Sequence, residues 1–431
     1  MYDMQKLAKL VKELEDQLVC CMRCGLCQAV CPVFAETGRE TDVTRGKLAL
    51  LEALTREMLK DPVGVGEHLH HCLLCGSCAA NCPSGVKVLD IFIKARILLT
   101  GYLGLSPVKR LIFRGMLSHP GFFDRLLEWG ACLQRVFIKP ADNLLGTSCS
   151  RFWFPLGKRH FNALAAVPFH SLAGATKTDS GKSGIKVGFF SGCVIDKIFP
   201  AIGQAVVRSL DYHGIGLFLP QSQGCCGIPA LSSGDATAFH RLVRHNLKTF
   251  ASEPFHYLVT ACATCTSTIK KLWPAMANGL TGEEQSQIRG MADKVMDISQ
   301  FLVDVAGVDQ VFPSRKDDLE IVSYHDPCHL RKSLGIAEQP RKLISANPRS
   351  FFREMNEADR CCGCGGSFNL EHYDMSASIG KRKRDNIIES QCSTVATSCP
   401  ACILQISDML SQAGDPVRVR HVIEIYADSL S

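Results

Sequence analysis

The 431-residue sequence lacks any run of 18 or more uninterrupted apolar residues, so no helix is expected to span a membrane. It also lacks a dense block of lysine or arginine. The net charge of +6 is a mild excess that argues against nucleic acid as a partner and allows weak attraction to an anionic membrane surface or an acidic subunit. The opening stretch, MYDMQKLAKLVKELEDQ, has no apolar signal core, which predicts no export by the Sec route and a cytoplasmic location, with peripheral attachment to the inner face of the membrane left open. No Gly-x-Gly-x-x-Gly follows a strand-like run, so no NAD or FAD site is expected in this chain. The nearest approach to a phosphate loop, Gly181-Lys182-Ser183, carries Thr176 where the leading glycine belongs. No Ser/His/Asp arrangement stands out.

What the chain has is cysteine, 23 in all. An odd count fits poorly with a closed disulfide framework, and clustered cysteines in a reducing compartment point to metal or catalysis. Two Cys-x-x-Cys-x-x-Cys-x-x-x-Cys-Pro runs stand near the N-terminus: Cys21, Cys24, Cys27 and Cys31 before Pro32, then Cys72, Cys75, Cys78 and Cys82 before Pro83. Three thiolates spaced by three residues wrap one iron cube, and the fourth, carried off on the next helix, serves the other cube. The spacing therefore assigns cluster A to Cys21, Cys24, Cys27 and Cys82, and cluster B to Cys72, Cys75, Cys78 and Cys31. Zinc needs only four ligands, usually as two Cys-x-x-Cys pairs, and two complete runs exceed that need. Cys20 is expected to be a buried thiol beside Cys21. His68, His70 and His71 precede Cys72 and read as helix-surface residues that tune cluster potential.

Residues 5–19 predict an amphipathic helix with Leu7, Leu10, Val11, Leu14 and Leu18 on one stripe, and 42–56 predict another, packed through Leu48, Leu51 and Leu54 with Glu52 facing solvent. Residues 91–165 mix leucine, phenylalanine and arginine with Pro and Gly breaks, which predicts short helices. Within them, 109–127 read as a packing surface for another domain or subunit, or as a membrane-surface segment. Residues 171–184 are Ser, Thr, Gly and Lys rich and read as a linker. The remainder is an internal repeat. IKVGFFSGCVID at 185–196 matches LEIVSYHDPCHL at 319–330, Cys225–Cys226–Gly227 matches Cys361–Cys362–Gly363, and VTACATCTSTI at 259–269 matches the segment from 395 to 406. β-branched runs followed by helical patterns predict two α/β units with mainly parallel sheets.

The repeat brings a second constellation: Cys193, Cys225, Cys226, Cys262 and Cys265 in the first unit, and Cys328, Cys361, Cys362, Cys399 and Cys402 in the second. Each set comes from three loops after three predicted strands, at the sheet edge where α/β folds hold ligands. Five thiols are one more than a cubane or a zinc ion requires, and adjacent cysteines diverge, which suits a more open iron–sulfur assembly. Zinc on four of the five and a redox disulfide are the alternatives. Cys364 and Cys392 lie close enough in sequence to the second set to substitute for a ligand. Cys132 and Cys149 read as core thiols. His325 and His329 flank Cys328, and a satisfied hydrogen bond behind the ligands is the expected role for both.

These motifs resemble the cysteine-rich CCG domain of the heterodisulfide reductase family. The order of modules resembles the iron–sulfur subunit of glycolate oxidase and the iron–sulfur proteins of D-lactate oxidation and of anaerobic glycerol-3-phosphate dehydrogenase. Supporting segments are CMRCGLCQAVCP at 21–32, TRGK at 44–47, CLLCGSCAANCPSGV at 72–86, SGC at 191–193 and HDPCHLRK at 325–332. The resemblance implies a multidomain α+β and α/β chain: a helical bacterial-ferredoxin-like module with two [4Fe–4S] clusters at 1–100, a helical connector and linker at 101–184, and CCG domains at 185–312 and 313–431. It implies one or two further clusters at the CCG sets, of the non-cubane kind, with zinc an option at one of them. It implies a subunit of an oxidoreductase complex that does not oxidise substrate alone. An FAD-containing 2-hydroxy-acid dehydrogenase subunit would oxidise D-lactate or glycolate, and this chain would pass electrons to quinone or another carrier. A catalytic subunit acting on a disulfide, and a zinc-bound scaffold, are the competing expectations.

Overall fold

In the computed structural model, described here for residues 5, 7, 11–152, 157–308 and 319–430, the chain forms two compact units. Unit 1 contains residues 1–118 together with 227–241 and 363–379, and unit 2 the rest. Each repeat lends the segment after its Cys–Cys pair to unit 1. The boundary expected at 312/313 lies outside the described residues.

Unit 1 is helical. The N-terminal segment continues as a turn at Lys12–Leu14 and a helix at Glu15–Leu18, and Leu7, Val11, Leu14 and Leu18 of its predicted stripe are buried. Leu10 lies outside the described residues. The helix Thr44–Thr55 buries Leu48, Leu51 and Leu54 as its threefold leucine spacing requires. Glu52 pairs with Arg23 and Arg56 on the opposite face. The longest helix of the unit, Val88–Leu103, ends at Gly104 and buries Val88, Ile91, Phe92, Ile93, Ala95 and Leu99.

Unit 2 holds twelve strands among the described residues, in three sheets. A small antiparallel sheet comprises β1 (Ile138–Asp142), β2 (Thr147–Ser150) and β3 (His160–Asn162). The next contains β4 (Thr176–Lys177), β5 (Lys186–Phe190), β6 (Gly216–Leu219), β7 (Tyr257–Thr260) and β8 (Val295–Asp297), in the order β4-β6-β5-β7-β8. The last contains β9 (Glu320–His325), β10 (Ser350–Phe352), β11 (Thr394–Thr397) and β12 (Arg418–His421), in the order β10-β9-β11-β12. All neighbours in these two sheets are parallel except β4, which runs antiparallel to β6. Helices cover parallel strands on both faces, which is why all five residues of β5 are buried.

Two expectations change here. The connector read as helical also contributes the β1–β3 sheet, and the stretch read as a linker supplies edge strand β4. Short edge strands rich in Ser, Thr and Pro carry no periodic signal of their own and are fixed by the pairing available to them.

The helix Pro120–Phe137 is turned inside out. It is pinned to the rest of unit 2 through polar groups: Asp124 to Lys197 at 2.8 Å, Glu128 to His170 at 3.4 Å, and Gln134 to the backbone of Leu164. Phe122, Trp129, Leu133, Val136 and Phe137 form an exposed stripe, with Trp129 73% accessible. Cys132 lies on this exposed helix, which corrects its reading as a core thiol.

Candidate metal centres

The two N-terminal motifs fold alike. Arg23 and Leu74, each second after the first cysteine, take left-handed backbone angles of 57° and 54°, and Gly25 and Gly76 follow at 84° and 75°. Non-glycine residues adopt that conformation at a cost, and here it curls each loop around a common centre. The helices Leu26–Val30 and Ser77–Ala80 that follow pack against each other.

One cavity of unit 1 is lined by Cys31, Cys72, Cys75 and Cys78, with Lys47 and Asp42 beside them. The fourth cysteine of the first motif thus faces the triplet of the second. Burial pushes the Cys31 thiol up to about 12 and raises Cys78 as well, and the nearby Cys72 and Cys75 add to both shifts. Crowded, desolvated thiols such as Cys31 and Cys78 ionise only when a cation takes their charge, so this cradle fits a metal cluster. Cys21 and Cys27 of the first motif are near enough to interact, Cys24 is exposed and Cys82 half-buried. Cys20 is exposed, its thiol donating to the Asp16 carbonyl, so it is not the buried thiol expected.

Two buried cations next to this cradle were not assigned from the sequence. Lys47, 1% exposed, donates to the carbonyl of Asp42. Burial pulls its ammonium down, while Cys72 and Asp42 pull it up. Arg96, in the middle of the apolar helix Val88–Leu103, donates to the carbonyls of Leu69 at 2.6 Å, Cys72 at 2.8 Å and Ser232 at 2.7 Å. The signals were present: the TRGK segment, and an arginine inside an apolar run. Asp42 is buried too. Burial works against its charge, but hydrogen bonds from His68 and His71 at 3.3 and 3.1 Å prevail and hold it below the usual carboxylate range.

In unit 2 the cysteine loops follow equivalent strands. Cys193, the Cys225–Cys226 pair and Cys262 with Cys265 follow β5, β6 and β7, while Cys328, the Cys361–Cys362 pair and Cys399 with Cys402 follow β9, β10 and β11. Gly227 and Gly363, after the pairs, both take left-handed angles, 94° and 93°, that favour glycine. The thiols of Cys193 and Cys225 are 3.7 Å apart, and those of Cys362 and Cys402 are 3.4 Å apart. Contacts continue from Cys225 to Cys226, on to Cys265 and Cys262, across to Cys399, and from there to Cys402. Eight thiols of the two sets therefore form one contiguous path, joined where the Ala263 amide donates to the Ser398 carbonyl at 3.0 Å. Hydrogen bonding with Cys193, then Cys226, raises Cys225. Cys402 is raised in the same way by Cys362 and Cys399, whereas Cys399 is lowered because Cys262, then Cys402, donate to it. Such crowding fits a metal assembly that several thiolates share.

The two sets differ in their surroundings. Behind the first, Asn246 donates to the Cys225 carbonyl and Trp273 to that of Cys226, both at 2.9 Å. Behind the second lies Lys383, 1% exposed, donating to the carbonyls of Glu357 and Ala358, with burial pulling its ammonium down to about 8. Of the two histidines flanking Cys328, His329 has a hydrogen-bond partner in Thr264 at 3.0 Å. His325 does not, contrary to the expectation of a satisfied hydrogen bond. It is fully buried, which pushes its imidazole down to about 3 and keeps it neutral. Cys392 is buried in a turn, its thiol directed at the Ile387 carbonyl, and Cys364 belongs to unit 1.

Residues 17–86 match the 4Fe-4S dicluster domain, and 187–270 and 322–407 each match the cysteine-rich CCG domain. Lactate utilization protein A of Geobacillus sp. (strain WCH70) is 30% identical over 241 residues, which cover 56% of this chain and 98% of that protein. The chain belongs to the family that includes lactate utilization protein A and the glycolate oxidase iron–sulfur subunits. Two longer relatives align along nearly all of it. The probable glycolate oxidase iron-sulfur subunit of Bacillus subtilis is 26% identical over 440 residues, 97% of this chain and 96% of that protein. A fumarate reductase (CoM/CoB) subunit of Methanothermobacter marburgensis is 28% identical over 414 residues, 94% of this chain and 71% of that protein. The dicluster match and the cysteine-rich domains support iron–sulfur clusters as cofactors, and the last two relatives are named as subunits of glycolate oxidase and of a fumarate reductase. Among the described residues no helix is long and apolar enough to cross a membrane.

Proposed function

We propose that this chain is the electron-transfer subunit of a flavin-dependent 2-hydroxy-acid dehydrogenase, taking electrons from a partner flavoprotein that oxidises D-lactate or glycolate and handing them to quinone or another carrier. The observation that carries the reading is the layout of thiols: in unit 1 the cavity lined by Cys31, Cys72, Cys75 and Cys78, with the loop of the first motif folded alike, and in unit 2 eight thiols of the two five-cysteine sets on one path through Cys262 and Cys399. Clusters A and B and the two CCG sets, with the ligands named above, supply one-electron transfer when loaded. The chain's own contribution is to hold thiolates at short spacing and to set their charge through Lys47, Arg96 and Lys383. The inside-out helix Pro120–Phe137 supplies a docking face for the flavoprotein or the membrane surface, since its apolar stripe is the part left uncovered.

The test is anaerobic affinity purification from native membranes, followed by substrate addition. D-lactate or glycolate should bleach the cluster absorbance only when a co-purified flavoprotein is present. Bleaching by the isolated chain, or co-purification with no flavoprotein, would refute the proposal.

A second reading, reductive cleavage of a disulfide at the CCG sets, draws on the likeness to the fumarate reductase (CoM/CoB) protein and on the continuous thiol path. Reoxidation of the dithionite-reduced chain by a panel of disulfides, without response to quinone, would favour it over the first.

A further inference from the structure

His325 is the last residue of β9 and is fully buried, and its ring approaches the Ala358 carbonyl, yet among the described residues neither ring nitrogen reaches a partner in hydrogen-bond geometry. The Ala358 carbonyl nearby already accepts from the Asp326 amide at 3.0 Å and from Lys383 at 3.3 Å. A buried polar group left unpartnered is costly, and native proteins rarely leave one so. One ring nitrogen of His325 and the thiols of Cys362 and Cys402 all lie within 4.8 Å of one another, a spacing that suits ligands converging on one metal.

The sheet register makes the comparison with the first repeat direct. Thr397 pairs with His325 as Thr260 pairs with Phe190. Where the second repeat puts an imidazole, the first puts a phenyl ring, stacked on Phe250 with centroids 5.8 Å apart. The site beside Phe190 has no nitrogen donor to offer at this position.

We propose that His325 is a nitrogen ligand to iron at the second five-cysteine set, making that site a mixed histidine–thiolate centre and the first an all-thiolate one. The proposal rests on the reading that the second set binds an iron–sulfur cluster. Replacing anionic thiolate by neutral imidazole raises the potential of an iron–sulfur centre, and the Lys383 ammonium acts in the same direction. Of the two centres, the second is then where electrons collect.

The experiment uses the full chain purified without oxygen, with iron and zinc counted per chain, and pulsed electron paramagnetic resonance on the reduced protein carrying natural or 15N-labelled histidine. The wild type should show a strongly coupled histidine nitrogen that changes on labelling. His325→Phe, which copies the residue of the first repeat, should lose it while keeping the iron count. His325→Gln, a second variant that keeps a polar side chain, should lose it as well. A full iron count with no histidine coupling, or a coupling that survives in both variants, overturns the ligand assignment and leaves the cluster reading standing. Zinc in place of iron at the second set overturns the cluster reading and the assignment with it.

Discussion

Lys47 illustrates how much one buried side chain does. Its ammonium lies on the wall of the cavity formed by Cys31, Cys72, Cys75 and Cys78, with 1% of it exposed. A cation in a poorly screened site stabilises the more negative, reduced form of a neighbouring cluster. Lys47→Met should therefore lower the midpoint potential of the cluster ligated by the second motif by tens of millivolts. A redox titration followed by electron paramagnetic resonance checks this, and an unchanged midpoint would mean that the ammonium is fully compensated by Asp42. The cysteines around Lys47 were legible because their spacing is local and covalent. The cation was not, because a lysine at position 47 looks like any helix lysine until the fold buries it. Cys20 and Cys132 show the same limit in reverse: residue type suggested burial, and the fold left both exposed.

Among the elements, the segment 227–241 shows how the first repeat is built into unit 1. Gly234 takes a left-handed angle of 84°, and a Cβ there would sit 2.2 Å from Thr100 Oγ1 and 2.5 Å from the Arg96 carbonyl oxygen. Gly234→Ala combines backbone strain with a clash against the helix Val88–Leu103, and should destabilise by about 2–4 kcal/mol, read by denaturant unfolding followed by circular dichroism. The base of the inside-out helix offers a pH test. A hydrogen bond with Asp196 raises His170 above its ordinary value. Burial opposes the charge of Asp196, but its bonds with His170 and Lys197 lower it overall. The His170 contribution is present below its unfolded value near 6.5 and lost as pH rises through its higher folded value. The Asp196 contribution is present above about 4 and lost as pH falls further. His170→Gln should then cost about 1 kcal/mol at pH 6 and clearly less at pH 8.5, measured by thermal unfolding at both. Equal losses at the two pH values would show that the ring acts by packing alone. Of the elements, the central parallel strands were readable from apolar β-branched runs, and Thr44–Thr55 from its leucine spacing. The sheet β1–β3 and strand β4 were not, since their residues carry no alternation and become strands only beside a partner.

For the whole molecule, the repeat was visible in the sequence as matching cysteines 135 to 137 residues apart, yet its most consequential feature was not. Nothing local in 259–269 or 395–406 indicates that Cys262 and Cys399 meet, because that contact depends on how the edges of two sheets are brought together. Cys399→Ser should consequently alter the spectra of both five-cysteine sets, with iron lost from the second and the resonance of the first shifted. A change confined to the second set would mean that the two centres are electronically separate. The exposed stripe of Phe122, Trp129 and Leu133 is open to direct test with anionic vesicles. Trp129→Glu should reduce sedimentation with them at least severalfold if the stripe faces lipid, and should instead block flavoprotein capture if it faces the partner.

That same helix also bears on supply. A chain made in excess over whatever covers Trp129 and its neighbours carries an aggregation-prone surface from the moment it folds. Its soluble yield should therefore follow the stoichiometry of co-expression, and balanced synthesis of the partners becomes a requirement written into residues 120–137.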